Sequence, residues 1–205
     1  MDESDDSYAL RTDENLMLAY RDGEAAAFEV LYGRHRARLY RYLVHQCVRR
    51  EQADEYFQEI WMSVIRARST YEVSAKFTTW LYRIAHNRLI DGFRAQGRLV
   101  EFEADVRDDE GEMPEPPAPV SEQPERLVER AQLAGRLVAA VDALPAPQRE
   151  AFLLAAEGGL TVEEIGRTTG ASFETAKSRL RYAYARLRSA LSDLRDSGHG
   201  SGDIR

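Results

Sequence analysis

Cysteine is almost missing from this 205-residue chain, with Cys47 standing alone. A single cysteine excludes an intramolecular disulfide and argues against a structural zinc site. Long apolar runs are missing as well. No segment approaches the roughly eighteen consecutive apolar residues of a membrane span. The N-terminus is acidic where a signal peptide would be basic and then apolar, so a cytoplasmic protein without membrane insertion is expected. Strand-like alternation is absent over any useful length, so no sheet is expected. Lysine is nearly absent too: Lys76 and Lys177 are set against a background of arginine. The planar fork of arginine suits phosphate and guanine, although a genome rich in G and C produces the same bias. Finally, there is no His-x-x-x-His or Asp-x-Asp cluster, and His35, His45 and His86 are spread along the chain. A catalytic centre, a metal site, a cofactor and a small-molecule substrate are therefore not expected.

What is present is charge, unevenly placed. The formal net charge of −7 alone would argue against a nucleic-acid partner. By segment, however, residues 16–100 carry a net +5 and residues 126–195 a net +3, while residues 101–125 carry −9. Five of the seven prolines fall in GEMPEPPAPVSEQPE, within that acidic stretch. Such a segment buries too little surface to offset its ordering entropy and reads as an extended linker. The expected organisation is all-α: two small helical domains on an acidic Pro-rich strap. The segments are an acidic disordered N-terminus (1–13), a first block (14–98), the linker (99–124), a second block (125–195) and a flexible tail (196–205).

Apolar spacing places the helices of the first block. One short helix opens near Thr12 or Asp13, and Gly23 separates it from a long helix starting near Glu24. The long helix carries Phe28, Leu31, Tyr32, His35, Leu39, Tyr42 and Leu43 on one face. Cys47, beside Val44 and Val48, reads as a buried small apolar residue. The next helix covers Glu51 to about Arg68, with Tyr56, Phe57, Ile60, Trp61, Val64 and Ile65 inward. After a loop at 69–76, a fourth helix runs from about Phe77 to Ala95 with Leu81, Ile84, Ala85 and Leu89 inward. Gly92 sits where a better helix former is usual.

The second block holds helices at 125–143, opened by Pro124, and at 146–157, followed by the most informative stretch of the chain. In it, Val162 and Ile165 share one face of a short helix, Gly170 supplies a sharp turn, and Ser172 is an N-cap candidate. Ala176, Leu180, Ala183, Leu187 and Ala190 then form one apolar stripe, leaving Lys177, Ser178, Arg181 and Arg188 outside it. A short helix across a longer one with an exposed basic face is a helix-turn-helix, whose second helix can enter the major groove. Gly166 allows close packing where the two helices cross.

ADEYFQEIWMSVIRA (53–67) and FTTWLYRIAHNRLIDGFRAQGR (77–98) resemble region 2 of the sigma-70 family. LPAPQREAFLLAAEGGLTVEEIGRTTGASFETAKSRLRYAYARLR resembles region 4 of the same family. With the acidic strap between them, the layout is similar to an extracytoplasmic-function sigma factor. The resemblance implies binding to core RNA polymerase and promoter DNA, and restraint by an anti-sigma factor. It also implies that the strap follows a basic polymerase channel as a nucleic-acid mimic, although a plain soluble linker has the same composition.

By the same resemblance, Asp54, Glu55, Gln58 and Glu59 offer a polar patch to polymerase. Phe57 and Trp61 either anchor that interface or fill the core. The −10 element falls to Tyr71, Lys76, Phe77, Trp80, Arg83, His86, Asn87 and Arg94. Here aromatics replace base stacking, cations hold the backbone, and His86 and Asn87 are taken to face outward. Tyr82, Arg88 and Arg98 add to the aromatics and the charge, and Trp80 suits the core better than it suits DNA. The −35 element falls to Ser172, Phe173, Glu174, Thr175, Lys177, Ser178, Arg179 and Arg181, with Arg179 either touching DNA or bracing the fold. Two other readings stand: a sigma-like decoy that titrates an anti-sigma factor, and a polymerase-independent DNA-binding regulator. The first lacks the receiver domain such decoys carry, and the second lacks a ligand or dimerisation domain.

Overall fold

The computed structural model describes residue 8 and residues 10–97 and 127–196, and every regular element among them is helical. The acidic strap, Arg98, the helix start at Pro124 and the Gly- and Ser-rich tail lie outside the described residues.

The first unit contains α1 (Asp13–Arg21), α2 (Ala25–Gln46), α3 (Arg50–Ala67) and α4 (Phe77–Ala95), with a 3-10 turn at Arg68–Thr70. Thr12 caps α1, its side chain accepting from the Asn15 N–H. Gly23 at φ +108° then turns the chain into α2. Leu16, Met17, Leu31, Leu39, Leu43, Ile60, Val64, Leu81 and Leu89 are inaccessible to solvent, so all four helices meet in one core. Asp13 ties α1 to α2, accepting from Arg34 at 2.7 Å and from His35 at 2.7 Å. Arg34 also reaches the Arg11 carbonyl, and the Tyr8 hydroxyl donates to Glu24.

α4 begins without a cap of its own, and α1 supplies one. The Glu14 carboxylate accepts the Phe77 N–H at 2.7 Å. Gly92 has a physical reason to be glycine: a Cβ there would lie 2.0 Å from the Tyr56 hydroxyl oxygen. Its helix-weakening cost is offset by the close approach of α3 and α4. Cys47 is half-buried at the C-cap of α2, and Val48 beyond the helix is exposed, so that cysteine is less enclosed than expected.

The second unit contains α5 (Leu127–Asp142), α6 (Ala146–Ala156), α7 (Val162–Thr169) and α8 (Phe173–Asp196). Ala176, Leu180, Ala183 and Leu187 form the buried stripe of α8 against α6 and α7. Ala190, expected to extend that stripe, is exposed. The two units pack on each other, α4 against α7 and α2 against α6.

Candidate nucleic-acid and polymerase surfaces

The turn between α7 and α8 is built from short-range chemistry. Thr161 and Glu164 make a capping box: the Glu164 N–H donates to Thr161 Oγ1, and the Thr161 N–H donates to Glu164 Oε2 at 2.8 Å. Gly170 ends α7 at φ +70°, and the Ala171 N–H closes back on the Gly166 carbonyl at 3.0 Å. A Cβ at Gly166 would stand 3.0 Å from the Ala171 carbonyl oxygen, so the crossing is as close as expected. Ser172 caps α8, its Oγ accepting the Thr175 N–H at 3.1 Å and bonding the Thr175 hydroxyl at 2.8 Å.

These constraints present one turn of α8 outward. Phe173, Glu174 and Lys177 are exposed along with Ser172. Ser178 and Thr175 are half-buried, as is Arg181, whose guanidinium lies 4.8 Å from the Tyr182 ring centre. Arg179 is half-buried with its Nε out of solvent.

In the first unit, Asp54, Glu55 and Gln58 stand exposed along α3, and Asp54 accepts from the Tyr40 hydroxyl at 2.6 Å. Glu59 pairs with Arg88 of α4, and the Arg88 guanidinium lies 4.1 Å from the Tyr56 ring centre. Trp61 is core: it is buried among Phe28, Tyr32 and Phe57. Phe57 is half-buried, packed edge-on against Tyr40 and Tyr32.

The residues expected at the −10 element divide into two groups. Arg83, Asn87 and Arg94 are exposed, and Arg94 pairs with Asp91. Tyr71, Phe77 and Tyr82 are buried. Trp80 is half-buried between Tyr71 and Phe77, with ring centres 5.1 and 5.8 Å away. His86 corrects the sequence reading. It faces inward, is only 8 % exposed, and its Nδ1 lies 2.6 Å from Glu150 of the second unit. The helical period alone allowed either side; the partner that draws it in is 64 residues away. Lys76 is exposed but leans on Glu164 at 3.2 Å.

Sequence reasoning missed the carboxylates that meet these groups. Glu150 is buried in α6, and its Oε1 also accepts from the Tyr42 hydroxyl at 3.0 Å. Glu157 takes Arg41 through two hydrogen bonds of 2.8 and 2.7 Å. Only Glu164 carried a local signal, the Thr-x-x-Glu pattern of a capping box.

Comparison with known proteins decides the family. Residues 31–99 match Sigma-70 region 2 and residues 134–187 match Sigma-70, region 4. The RNA polymerase sigma factor CarQ of Myxococcus xanthus is 33 % identical over 178 residues, covering 87 % of this chain and 97 % of CarQ. The chain belongs to the extracytoplasmic-function sigma-70 family.

The ECF RNA polymerase sigma factor RpoE of Cereibacter sphaeroides is also 33 % identical, over 184 residues, covering 86 % of this chain and 93 % of RpoE. In fold, this sigma factor resembles CnrH as seen in complex with the cytosolic domain of CnrY. The TM-score is 0.59 at 23 % identity, covering 89 % of this chain and 97 % of CnrH. As an alternative sigma factor it binds core RNA polymerase and promoter DNA and directs transcription initiation. No helix among the described residues is long and apolar enough to cross a membrane.

Proposed function

We propose a division of labour within this sigma factor. Residues 14–98 bind polymerase and handle the −10 element, and residues 125–195 read the −35 element. The observation that carries the reading is the outward first turn of α8, with Lys177, Glu174 and Phe173 exposed on a helix start fixed by Gly170 and Ser172. A lysine ammonium suits guanine edges, a glutamate accepts from cytosine, and the helix start attracts phosphate.

On α3, Asp54, Glu55 and Gln58 meet polymerase directly, and Glu59 does so once it releases Arg88. At the −10 element, Arg83, Asn87 and Arg94 touch DNA first. Trp80 is the aromatic placed to stack on a base, with Tyr71 and Phe77 behind it as support. The protein works in the cytoplasm, where its polymerase is, and an anti-sigma factor restrains it. Structures of sigma factors bound to the cytosolic domain of CnrY and to the anti-sigma factor NepR give precedent for the fold.

Run-off transcription with purified core polymerase on a promoter library tests the reading. Promoter-specific transcripts that vanish with Lys177→Ala/Arg181→Ala support it. Transcripts that persist unchanged in that variant move the −35 reader elsewhere.

A further inference from the structure

Two neighbouring side chains on α8 contribute nothing visible to the fold. The first is Phe173. Among the described residues Phe77 and Phe93 are buried, and Phe28, Phe57 and Phe152 pack half-buried against the core. Phe173 is 50 % exposed and belongs to neither group. A lone apolar side chain on a plain surface needs no explanation. This one opens the helix whose start is fixed by Gly170 and Ser172, four residues before Lys177 and so on the same face.

The second is Glu174, an exposed carboxylate on a helix whose other exposed side chains include Lys177, Arg186 and Arg188. A carboxylate facing a groove walled by phosphates lowers affinity for DNA in general unless a donor awaits it there. An acid in that place therefore discriminates more than it attracts.

The major groove narrows what the two can accept. Its base edges carry one apolar group, the thymine C5 methyl, and cytosine shows an amine with no acceptor beside it. A phenyl ring pressed on a purine edge would leave N7 and its neighbour buried without partners. Pressed on the methyl, it removes apolar surface from water on both sides. A carboxylate accepts from the cytosine amine and is repelled by the bare oxygens of guanine and thymine. Adenine pairs its amine with the N7 acceptor, which an amide satisfies and a carboxylate does not. Consecutive helical residues rise about 1.5 Å, and base pairs are stacked roughly 3.4 Å apart, so the two side chains meet neighbouring pairs.

We infer that Phe173 and Glu174 set the base preference of the −35 reader at two neighbouring pairs, the ring selecting thymine by its methyl and the carboxylate selecting cytosine by its amine. These contacts rest on the assignment of α8 to the −35 element made above. Lys177 supplies attraction, and the two residues before it supply discrimination. Removing the lysine weakens binding, whereas removing the Glu174 carboxylate strengthens binding to unrelated sequences.

The test uses the full-length chain bound to core polymerase and selects from promoter-length duplexes randomised at both elements. The native protein should enrich a thymine with a neighbouring cytosine at −35. Phe173→Ala should keep the cytosine and lose the thymine. Glu174→Gln should move the preference from cytosine to adenine, a gain that a misfolded variant cannot produce. Glu174→Ala should lose the cytosine and bind the unselected library several-fold more tightly.

In the best duplex, deoxyuridine in place of that thymine deletes the methyl alone. It should weaken native binding several-fold, Phe173→Leu less, and Phe173→Ala not at all. Equal losses in the native protein and Phe173→Ala would overturn the thymine contact, as would a native protein indifferent to the methyl. A Phe173→Ala variant that joins polymerase poorly with its base preference intact would make the ring a protein contact instead. A cytosine preference unmoved by Glu174→Gln would overturn the second contact. Lys177→Ala separates the two levels. If it matches the native protein in affinity and selection, or the native protein enriches no base at −35, the assignment of α8 itself falls. If it weakens binding while Phe173→Ala still tells thymine from uracil, only the thymine contact falls.

Discussion

The helices α4 and α8 carry similar materials, an aromatic near the start and cations after it, yet their surroundings treat them differently. On α8 the first aromatic, Phe173, is 50 % exposed, and the lysine that follows meets no carboxylate of the other unit among the described residues. On α4 the first aromatic, Phe77, is wholly buried, and the lysine before it leans on Glu164. The difference lies in what each helix rests upon. α8 turns one stripe of small and branched residues to its own unit and leaves Phe173, Glu174 and Lys177 of its first turns to solvent. α4 is gripped from two sides, by α1 and α3 within its unit and by α7 from the other. A helix held at one face keeps its other faces open to a partner; a helix held at two has less surface left to offer.

The strongest test of this contrast removes the same ring from both helices. Phe77→Ala should destabilise the first unit by roughly 3–5 kcal/mol, visible as a large drop in Tm. Phe173→Ala should leave Tm nearly unchanged while weakening promoter binding. Equal stability losses would erase the distinction. Next come the two lysines. Lys177→Ala should cost promoter-duplex affinity about 1–3 kcal/mol by fluorescence anisotropy. Lys76→Ala in the free chain should cost far less.

Gly170→Ala should follow, destabilising the second unit by about 1–2 kcal/mol in denaturant titration, because its backbone is left-handed. The first unit should be untouched. The smallest effect is pH-dependent. Burial pulls the His86 pKa down and Arg94 opposes protonation, but the charge and hydrogen bond of Glu150 prevail and hold it above the ordinary 6.5. A raised folded-state value means the stabilisation is complete below the ordinary value. It is lost as pH climbs through the raised one. The Tm advantage of the native chain over His86→Gln should therefore shrink from mildly acidic to alkaline pH. An advantage that grows would reverse the sign.

How much of this was legible from the amino acids depended on range. α4 begins and ends where its apolar spacing and flanking residues place it, because Leu81, Ala85 and Leu89 recur every four residues. The turn at Gly170 and the cap at Ser172 were equally local. His86 was not, since its neighbours on the helix are compatible with either face and its partner Glu150 is on another unit. Glu14 capping α4 from 63 residues away is the same case. Trp61 and Phe57 were ambiguous because an aromatic on a helix satisfies a core and an interface alike. Only the position of Tyr32 and Phe28 settles Trp61 as core.

The contact between Gly92 and Tyr56 bears on how such a chain can diverge. Any side chain at 92 collides with the phenol, and that phenol accepts from Gln52 while supporting Arg88. Position 92 cannot gain a side chain while residue 56 keeps its phenol. A lineage that places alanine at 92 must first, or at once, shorten residue 56. The order of change is therefore fixed, and mutational tolerance at 92 depends on which residue its ancestor carried on the facing helix.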